Sequence, residues 1–275
     1  MATILITGAN GFLGREFTEY FSQTPHDVIA APRQILDLTD SEQVDAFFAS
    51  RAVDIVLHTA ARPDESFDSL RANLSMFHNL KKHAADYKLM FSFGSGAEFD
   101  RYSNVNQAAE EDIYTSIPTD YYGLAKNLIA REIILHNNNI INLRLFGCFG
   151  IMEKNTRFIK NSVNRIKEGL PIFISQDRLM DFFYIGDLIR VVEHLMSRRT
   201  LQHVDYNMCY QDKTNLTEIA KELKSLTGTL TGIIVEKPGL AYAYTGSSTR
   251  LEELGLDLIG LQGGIRQVVE KEQNV

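Results

Sequence analysis

Three glycines spaced three residues apart, near the start of the chain, constrain the fold more than any other feature. A run rich in β-branched residues at 3–7 leads into Gly8, Gly11 and Gly14, and a helix-like segment follows. This order predicts a buried first strand, a tight turn and a helix. Glycine lets the backbone approach a ligand closely, and the free N–H groups of a helix start favour an anion such as a pyrophosphate. An ordinary sharp turn would also accept these glycines, but their position on the first strand favours a dinucleotide site in a Rossmann-type α/β fold with a doubly wound parallel sheet.

Composition narrows the class of protein. The 275 residues suit one large domain, or one domain with a small lobe, and the formal net charge of −7 provides no basic surface for nucleic acid. The sequence shows no apolar run of membrane-spanning length and no signal-peptide pattern. Cys148 and Cys209 are too few for a disulfide framework and lack metal-site spacing. We therefore expect a cytoplasmic protein with two reduced thiols and no metal, and we expect neither nucleic acid nor a membrane as its partner.

Short apolar runs alternate with helix-like stretches over the first 150 residues. After the first strand, the runs that predict parallel strands lie at 28–31, 35–40, 53–58, 88–95 and 140–150. Helices are predicted at 15–22, from Thr39, Asp40 or Ser41 to Ser50, at 65–87, and at 120–137 with Thr119 or Asp120 as its cap. Residues 96–119 are polar and predict a long loop. A further strand near 203–208 is predicted to return to the main sheet.

The residues after the second predicted strand bear on the choice of cofactor. A dinucleotide site selective for NAD(H) places an acid there to bond the adenosine ribose, whereas an arginine suits the 2′-phosphate of NADP(H). This chain has Arg33 and no acid directly after that strand, and the arginine offers a permanently charged planar fork. A solvated loop arginine would look the same in the sequence. The pattern favours NADP(H) over NAD(H).

A tyrosine and a lysine on one predicted helix carry the main chemical signal. Tyr122 and Lys126 are four residues apart, so they share a helical face about 6 Å apart, whereas Tyr121 points elsewhere. A phenol with a pKa of about 10 transfers protons poorly at neutral pH, and a nearby ammonium is expected to lower that pKa. Ser95 stands at the C-terminal end of a predicted strand, which is where sheets of this class bind ligands.

In this order and spacing, the glycine triple, Ser95, Tyr122 and Lys126 resemble the extended short-chain dehydrogenase/reductase family, in its nucleotide-sugar (NAD-dependent epimerase/dehydratase) branch. The resemblance covers nearly the whole chain and is weakest over roughly the last 40 residues. It implies that Tyr122 transfers a proton, that Ser95 holds the reacting oxygen and that Lys126 anchors the cofactor ribose. The cofactor contacts that it implies are Gly8, Asn10, Gly11, Phe12, Leu13, Gly14, Arg33, Asp37, Leu38, Thr59, Ala60, Ala61, Asn73, Tyr122 and Lys126.

The expected substrate is a nucleotide-linked sugar, and the chain departs from the family pattern at two of the positions that would hold it. Gly147 stands where relatives have an asparagine, and Met180 where they have a phosphate-binding arginine. Arg157 or Arg178 is the expected replacement, although both could equally be surface charges. The expected substrate contacts are Ser95, Gly96, Arg157 and Arg178. The resemblance also implies a cofactor-binding domain over 1–150 and a mainly substrate-binding lobe over 151–275.

The subtype follows by subtraction from the family's patterns. Dehydratases of this branch place two acids directly after the catalytic serine or threonine, but here those positions hold Gly96 and Ala97, and Glu98 is expected to face away. Reductases that also epimerise use a cysteine and a histidine at the positions of Ala97 and Tyr184. The pattern favours a simple NADPH-dependent reductase of a 4-keto-6-deoxyhexose. The alternatives are a 4-epimerase with tightly bound NAD and, more distantly, a non-catalytic NADP-binding protein.

A homodimer is expected from the same resemblance, since members of the family commonly pair through two long helices. The first of these helices has apolar residues at helical spacing, which are Leu70, Leu74, Phe77 and Leu80. That stripe could also face the sheet of its own subunit.

Overall fold

The computed structural model describes residues 1–136, 139–198, 200 and 202–273, and they form two compact units. The first unit comprises 1–101, 110–144 and 192–206, and the second comprises 102–109, 145–191 and 207–275. Both units are therefore assembled from separate stretches of chain. The assignment of a cofactor domain to 1–150 and a substrate lobe to 151–275 stays a prediction.

A six-stranded sheet carries the first unit. Its strands are β1 (Thr3–Thr7), β2 (Asp27–Ala31), β3 (Ile55–His58), β4 (Leu89–Ser95), β6 (Ile140–Leu145) and β10 (Asp205–Met208), in the spatial order β10-β6-β4-β3-β1-β2. The described pairs of β1 with β2, β1 with β3 and β3 with β4 are parallel. The helices of this part are α1 (Phe12–Phe21), α2 (Ser41–Ser50), α3 (Phe67–Lys81), α4 (Tyr121–His136) and the end of α6 (Ile185–Ser197). The predicted α/β class with a Rossmann-type parallel sheet is confirmed.

The strand predicted at 35–40 was wrong, because this segment is a series of turns and the sheet ends at β2. The N–H groups of Ile35 and Leu36 both donate to the carbonyl of Pro32, at 2.9 and 3.0 Å, which curls the chain. Leu36 and Leu38 are buried in the core cluster without joining the sheet. Their apolar character therefore reflects core packing. Asp40 then caps α2 by accepting from the N–H groups of Glu42 and Gln43, as one of the alternatives predicted.

Helix α3 is shorter than the predicted 65–87, and its apolar stripe faces its own unit. It begins after the Ser66 cap and ends at Lys81, beyond which the chain continues in turns to residue 86. Phe77 and Leu80 are completely buried in the core cluster, and Leu74 packs against it. Three of its four residues therefore belong to a core face, so the stripe does not support a dimer interface.

The second unit contains short parallel strand pairs. These join β5 (Val105–Ala108) with β12 (Tyr244–Gly246), β7 (Cys148–Phe149) with β9 (Phe183–Tyr184), and β8 (Ile172–Asp177) with β11 (Ile233–Leu240). Helices α5 (Phe158–Lys167), α7 (Leu216–Thr227), α8 (Thr249–Glu252) and α9 (Gly260–Gln273) complete it.

The long loop predicted at 96–119 was wrong in part, since it holds β5 and two 3-10 helices, Gly96–Phe99 and Glu110–Tyr114. The backbone of Val105 donates to Ala243, a distant partner that local patterning does not reveal. Among the described helices, none has the length and apolar character needed to cross a bilayer.

Candidate functional site

The turn between β1 and α1 is tight because two of its glycines leave room for other backbone atoms. Gly8 has a φ of +62°, and a Cβ there would lie 2.7 Å from the Cα of Ala60. A Cβ on Gly14 would lie 2.7 Å from the Cα of Ala9 and closer still to the carbonyl of Gly8. Gly11 caps α1 without any side-chain hydrogen bond. The first N–H groups of α1 therefore point out of the helix with no side chain covering them, which suits an anion such as a pyrophosphate.

A cleft of about 860 Å³ lies against this turn within the first unit. The predicted cofactor residues that line it are Gly8, Asn10, Gly11, Arg33, Asp37, Leu38, Thr59, Ala60 and Ala61. Its size and the glycine turn on its wall fit the adenosine and pyrophosphate portion of a dinucleotide. The predicted residues outside this lining are Phe12, Leu13, Gly14, Asn73, Tyr122 and Lys126.

The cleft is lined by an acid, Asp37, which stands four residues after Arg33 and not directly after the second strand. Asp37 accepts a hydrogen bond from the Nε of Arg33 at 3.0 Å, although the Arg33 side chain is 78% exposed. The hydroxyl of Thr39 bonds the same carboxylate at 2.7 Å and, with Arg33, lowers the pKa of Asp37. The turns that replaced the predicted strand bring these two residues together. Arg33 therefore faces the cleft as half of an exposed ion pair.

Asn73 supports the cleft from behind. Its side-chain amide donates to the carbonyls of Arg62 and Ser69, at 2.9 and 2.8 Å, and its oxygen accepts from the N–H of Arg62 at 3.1 Å. The residue is 2% exposed. In the structure Asn73 anchors the loop that follows β3.

His58 ends β3 as a neutral, buried side chain. The hydroxyl of Thr7 lies 3.1 Å from its Nδ1, and the hydroxyl of Thr59 donates to the carbonyl of Thr7 at 2.6 Å. Burial, with a smaller effect of Lys126, lowers the pKa of His58 to about 3. This environment is that of a structural histidine, since a side chain that stays neutral through burial holds the end of β3 against Thr7.

The structure brings Ser95, Tyr122 and Lys126 together at the end of β4. The side chain of Ser95 lies close enough to the phenol of Tyr122 to act on the pKa of that group and lower it. Lys126 is buried, and its ammonium donates to the carbonyl of Phe93 in β4 at 2.8 Å. The carboxylate of Asp120 caps α4 by accepting from the N–H of Gly123 at 2.9 Å, so one of the two predicted caps sets where this helix begins.

The expected effect of Lys126 on the phenol is not observed. The pKa of Tyr122 is raised, chiefly by burial, with the carboxylates of Glu98 and Asp120 adding to the rise and Ser95 opposing it. Burial likewise lowers the pKa of the Lys126 ammonium to about 8, against the opposing charge of Glu98. The predicted fall in the phenol pKa considered only the favourable interaction of a phenolate with the ammonium. Removal of both groups from water disfavours their charged forms, and this effect is larger. Tyr122 is therefore a phenol that keeps its proton at neutral pH.

Arg101 is a site residue that the sequence did not indicate. Its guanidinium lies over the ring of Tyr122, 5.8 Å from the centroid, and acts to lower the pKa of that phenol. The carboxylate of Asp120 accepts hydrogen bonds from the Nε of Arg101 at 3.2 Å and from its Nη2 at 3.0 Å. The carboxylate of Glu65 accepts from the same Nη2 at 3.0 Å. No local pattern marks this residue, because its partners lie 19 and 36 positions away.

The prediction that Glu98 faces away was wrong, because this residue lies completely buried beneath Ser95. Its carboxylate accepts from the N–H of Ser95 at 2.8 Å and from the Nε of Arg144 at 2.6 Å. A sequence signal was available, since Ser95 and Glu98 form a capping box with the spacing Ser-x-x-Glu.

The expected substrate residues occupy varied environments. Gly96 is buried at the start of its 3-10 helix. In the second unit, the Nε of Arg157 lies 3.5 Å from the carboxylate of Glu153 at the start of α5. Arg178 lies over the ring of Tyr244, with its carbon Cζ 5.6 Å from the centroid, and its buried Nε has no hydrogen-bond partner among the described residues. This orphaned donor makes Arg178 the better candidate for binding an anionic ligand.

The change from asparagine to Gly147 has a packing reason. A Cβ at this position would lie 2.8 Å from the carbonyl of Asp181 and 3.2 Å from the ring of Phe182. Met180, at the other position that departs from the family pattern, forms an isolated parallel β-bridge with Tyr244. The chain around these residues is therefore packed too closely for the usual asparagine.

Known proteins similar to this chain share its overall architecture. The profile of the NAD dependent epimerase/dehydratase family matches residues 4–209. The chain is 24% identical over 203 residues to the spore coat polysaccharide biosynthesis protein SpsK of Bacillus subtilis (strain 168), covering 72% of this chain and 70% of that protein. It is 24% identical over 221 residues to a dTDP-4-dehydrorhamnose reductase of Aggregatibacter actinomycetemcomitans, covering 75% and 73% of the two.

Among solved structures, the GDP-mannoheptose C4 reductase of Campylobacter jejuni with NADP bound superimposes with a TM-score of 0.82 at 18% identity, covering 99% of this chain and 98% of that one. At that identity the likeness speaks for the fold. The family profile spans well over half of the sequence, from the first strand to the last strand of the main sheet. The chain belongs to the NAD dependent epimerase/dehydratase family.

Proposed function

We propose that the protein is an NADPH-dependent oxidoreductase that reduces the keto group of a nucleotide-linked 4-keto-6-deoxyhexose. The observation that carries the proposal is the grouping of Tyr122 with Ser95 at the end of β4 and with Lys126, whose ammonium donates to the carbonyl of Phe93 in the same strand. Two similar proteins whose names describe reductases of nucleotide-linked sugars support the substrate class.

The chain's own groups would act on the carbonyl oxygen of the substrate. A bound nicotinamide cofactor supplies the hydride in a reaction of this kind. Tyr122 donates its proton to the oxygen as negative charge develops there, and the hydroxyl of Ser95 holds that oxygen by a hydrogen bond. A raised phenol pKa suits this direction of reaction, because the donor must carry its proton at working pH.

The cofactor contacts of this proposal all lie in the first unit. The β1–α1 turn and the N-terminus of α1 would hold the pyrophosphate, and Lys126 would bond the nicotinamide ribose. Arg33 is the group for a 2′-phosphate, and its exposed ion pair with Asp37 leaves the guanidinium accessible to one. Arg178 would bind the phosphates of the sugar nucleotide, with Arg157 as the weaker candidate.

Dehydration is not proposed, because no free acid follows Ser95. Gly96 and Ala97 have no titratable side chain, and the carboxylate of Glu98 is taken up by Arg144 and the backbone of Ser95. Incubation with common nucleotide-linked hexoses is expected to yield no 4-keto-6-deoxy product by mass spectrometry. Detection of that product would assign an acid role to Glu98 or to another carboxylate.

A 4-epimerase with tightly bound NAD is the second candidate, favoured by one observation. Asp37 lines the cleft, and a carboxylate in that region is the group that bonds the ribose of NAD(H). Against it stands the raised pKa of Tyr122, since an epimerase must also use this tyrosine as a base.

The deciding experiment follows NADPH and NADH absorbance while the purified protein is offered nucleotide-linked 4-keto-6-deoxyhexoses. Consumption of NADPH, lost in Tyr122→Phe, is the expected result. Interconversion of nucleotide-linked hexoses without added cofactor would establish the epimerase instead. Cofactor binding without either reaction would indicate a non-catalytic NADP-binding protein. A cytoplasmic location is part of the proposal, since both cysteines are buried free thiols.

A further inference from the structure

We propose that Glu98 is a positioning residue of this site, which fixes the turn presenting Ser95 and provides the buried counter-charge of Lys126. The importance of the lysine charge for the cofactor rests on the proposed function. The position of Glu98 does not, because it follows from the contacts of the carboxylate itself.

The carboxylate of Glu98 is surrounded by donors. Oε1 accepts from the N–H of Ser95 at 2.8 Å, and Oε2 accepts from Arg144 at 2.6 Å and from the amide of Asn142 at 3.2 Å. The side chains of Glu98 and Arg144 are both completely buried. Because the guanidinium is permanently charged, this short contact favours the ionised carboxylate. Burial raises the pKa of Glu98, and Arg144, the N–H of Ser95 and Lys126 oppose that rise.

The backbone around Glu98 links the serine turn to the helix of Tyr122 and Lys126. The side-chain amide of Asn127, next to Lys126 in α4, donates to the carbonyl of Glu98 at 2.8 Å. Gly94 leaves the space that the carboxylate occupies, since a Cβ there would lie well under 3.0 Å from Oε1. The turn and the helix are therefore held to the same residue by its backbone and its side chain.

Glu98 and Lys126 are surrounded by both positively and negatively charged groups. The charged or titratable groups that influence Glu98, Lys126 or their partners come from several elements and are His58, Arg101, Glu110, Asp120, Tyr122, Arg144 and Asp205. Asp205 lies 3.5 Å from the Nη2 of Arg144, the guanidinium whose Nε binds Glu98. Burial lowers the pKa of Lys126 to about 8, and among the described residues Glu98 is the group that opposes this by raising it. Loss of the Glu98 charge should therefore deprotonate Lys126 at lower pH.

The direct test is an NMR titration of isotopically labelled lysine side chains in the full-length protein without cofactor. The Lys126 resonance is assigned by its absence from Lys126→Arg. Glu98→Gln keeps the shape of the side chain and removes its charge, so we expect the Lys126 midpoint to fall below the wild-type value near pH 8. Asp205→Asn is the matched control, because it removes the other acid of Arg144 and leaves Glu98 in place. It should leave the midpoint close to wild type.

A second measurement follows the dissociation constant of NADPH at pH 6 and pH 8. The dissociation constant of Glu98→Gln divided by that of wild type should be about three- to tenfold larger at pH 8 than at pH 6, since a fall of one unit in the pKa of Lys126 reduces the charged fraction of its ammonium by up to tenfold. A loss of equal size at both pH values, with an unmoved Lys126 midpoint, would show a purely structural role and overturn the proposal. If the wild-type protein bound no NADPH at either pH, the proposed function would fail, while the NMR titration would still decide the role of Glu98.

Folding of the variant can be secured independently. Glu98→Gln removes the ion pair of Arg144 at 2.6 Å and leaves Asp205 at 3.5 Å, and the loss of one partner of a buried ion pair is strongly destabilising. The double variant Glu98→Gln/Arg144→Met removes both charges and is expected to fold more stably than the single one. It should retain the lowered Lys126 midpoint, and a wild-type midpoint in the double variant would also contradict the proposal.

Discussion

At the scale of single residues, the site is governed by what burial does to a phenol and an ammonium. Loss of water pushes Tyr122 and Lys126 towards their neutral forms, so the phenol keeps its proton and the lysine titrates near pH 8. Both effects are compatible with proton donation at neutral pH. The positive charges that offset burial come from Arg101 over the tyrosine ring and, for the carboxylate of Glu98, from Arg144.

Tyr122→Phe should remove the proton donor and leave the ring in place. The rate of reduction should fall by roughly 10²–10⁴-fold with NADPH binding retained, because general acid catalysis is worth about that much. Steady-state kinetics and a separate binding titration measure the two quantities. Tyr121→Phe is the control, since Tyr121 is 43% exposed and packs edge-on against Phe67. Equal losses in the two variants would show that the wrong tyrosine has been assigned.

Arg33→Ala should weaken NADPH binding several-fold and leave NADH binding nearly unchanged, since only the 2′-phosphate needs the guanidinium. Asp37→Asn is the informative companion. It removes the carboxylate that now occupies Arg33, so NADPH should bind somewhat more tightly. Isothermal titration of both cofactors to the three proteins measures this. Equal weakening of NADPH and NADH in Arg33→Ala would refute the assignment.

At the scale of elements, the β1–α1 turn depends on backbone approach more than on helix propensity. Gly14→Ala would gain up to about 1 kcal/mol in helix propensity, but its Cβ would press on the backbone of Gly8 and Ala9. Overpacking of this kind costs about 1–3 kcal/mol, so the melting temperature should fall. Gly11→Ala meets only the Gly8 carbonyl, at 3.2 Å, and should lose less. Calorimetry of the cofactor-free proteins compares them, and a Gly14→Ala variant as stable as wild type would contradict the packing argument.

The turn that precedes α5 contains a buried acid, Glu153, that should make stability depend on pH. Burial raises the pKa of Glu153 to about 8, with Arg157 opposing the rise. The folded protein therefore holds this proton more tightly than the unfolded chain, and its stabilising effect is lost as pH rises from about 4.5 to 8.

Glu153→Gln cannot ionise, so its melting temperature should exceed that of wild type increasingly towards pH 8. Each kcal/mol corresponds to about 2–4 °C in a protein of this size class. Glu168→Gln, at the exposed C-terminal cap of α5, is the control and should parallel wild type. A constant difference between Glu153→Gln and wild type from pH 5 to pH 8 would refute the raised pKa.

At the scale of the whole molecule, we propose a homodimer through a different surface from the stripe on α3. Leu128 and Leu135 of α4 are 43% and 72% exposed, and their seven-residue spacing puts them on one helical face. Sedimentation at micromolar concentration should give twice the chain mass of 31.1 kDa. Leu135→Glu should shift the protein to monomer, whereas Leu230→Glu, at a fully exposed position of the second unit, should not. A monomeric wild-type protein would rule the dimer out.

The sequence by itself determined the features that depend on neighbours along the chain. The glycine turn, the caps at Asp40 and Asp120, and the shared face of Tyr122 and Lys126 all arise from contacts within a few residues. The α/β class with a parallel sheet followed from the alternation of buried runs and helices, because parallel strands need such crossovers. These features were predictable because backbone geometry alone sets their spacing.

Tertiary structure decided which apolar and charged residues meet. Leu36 and Leu38 pack into the core from turns, and Phe77 and Leu80 pack into it from α3. The hydrophobic effect depends on the apolar area that is buried and not on the type of element that carries the side chain. Arg144 reaches Glu98 across 46 residues, and this pairing had no counterpart in the local pattern. The pKa values of Tyr122 and Lys126 follow from loss of water in the folded interior, which residue spacing does not encode.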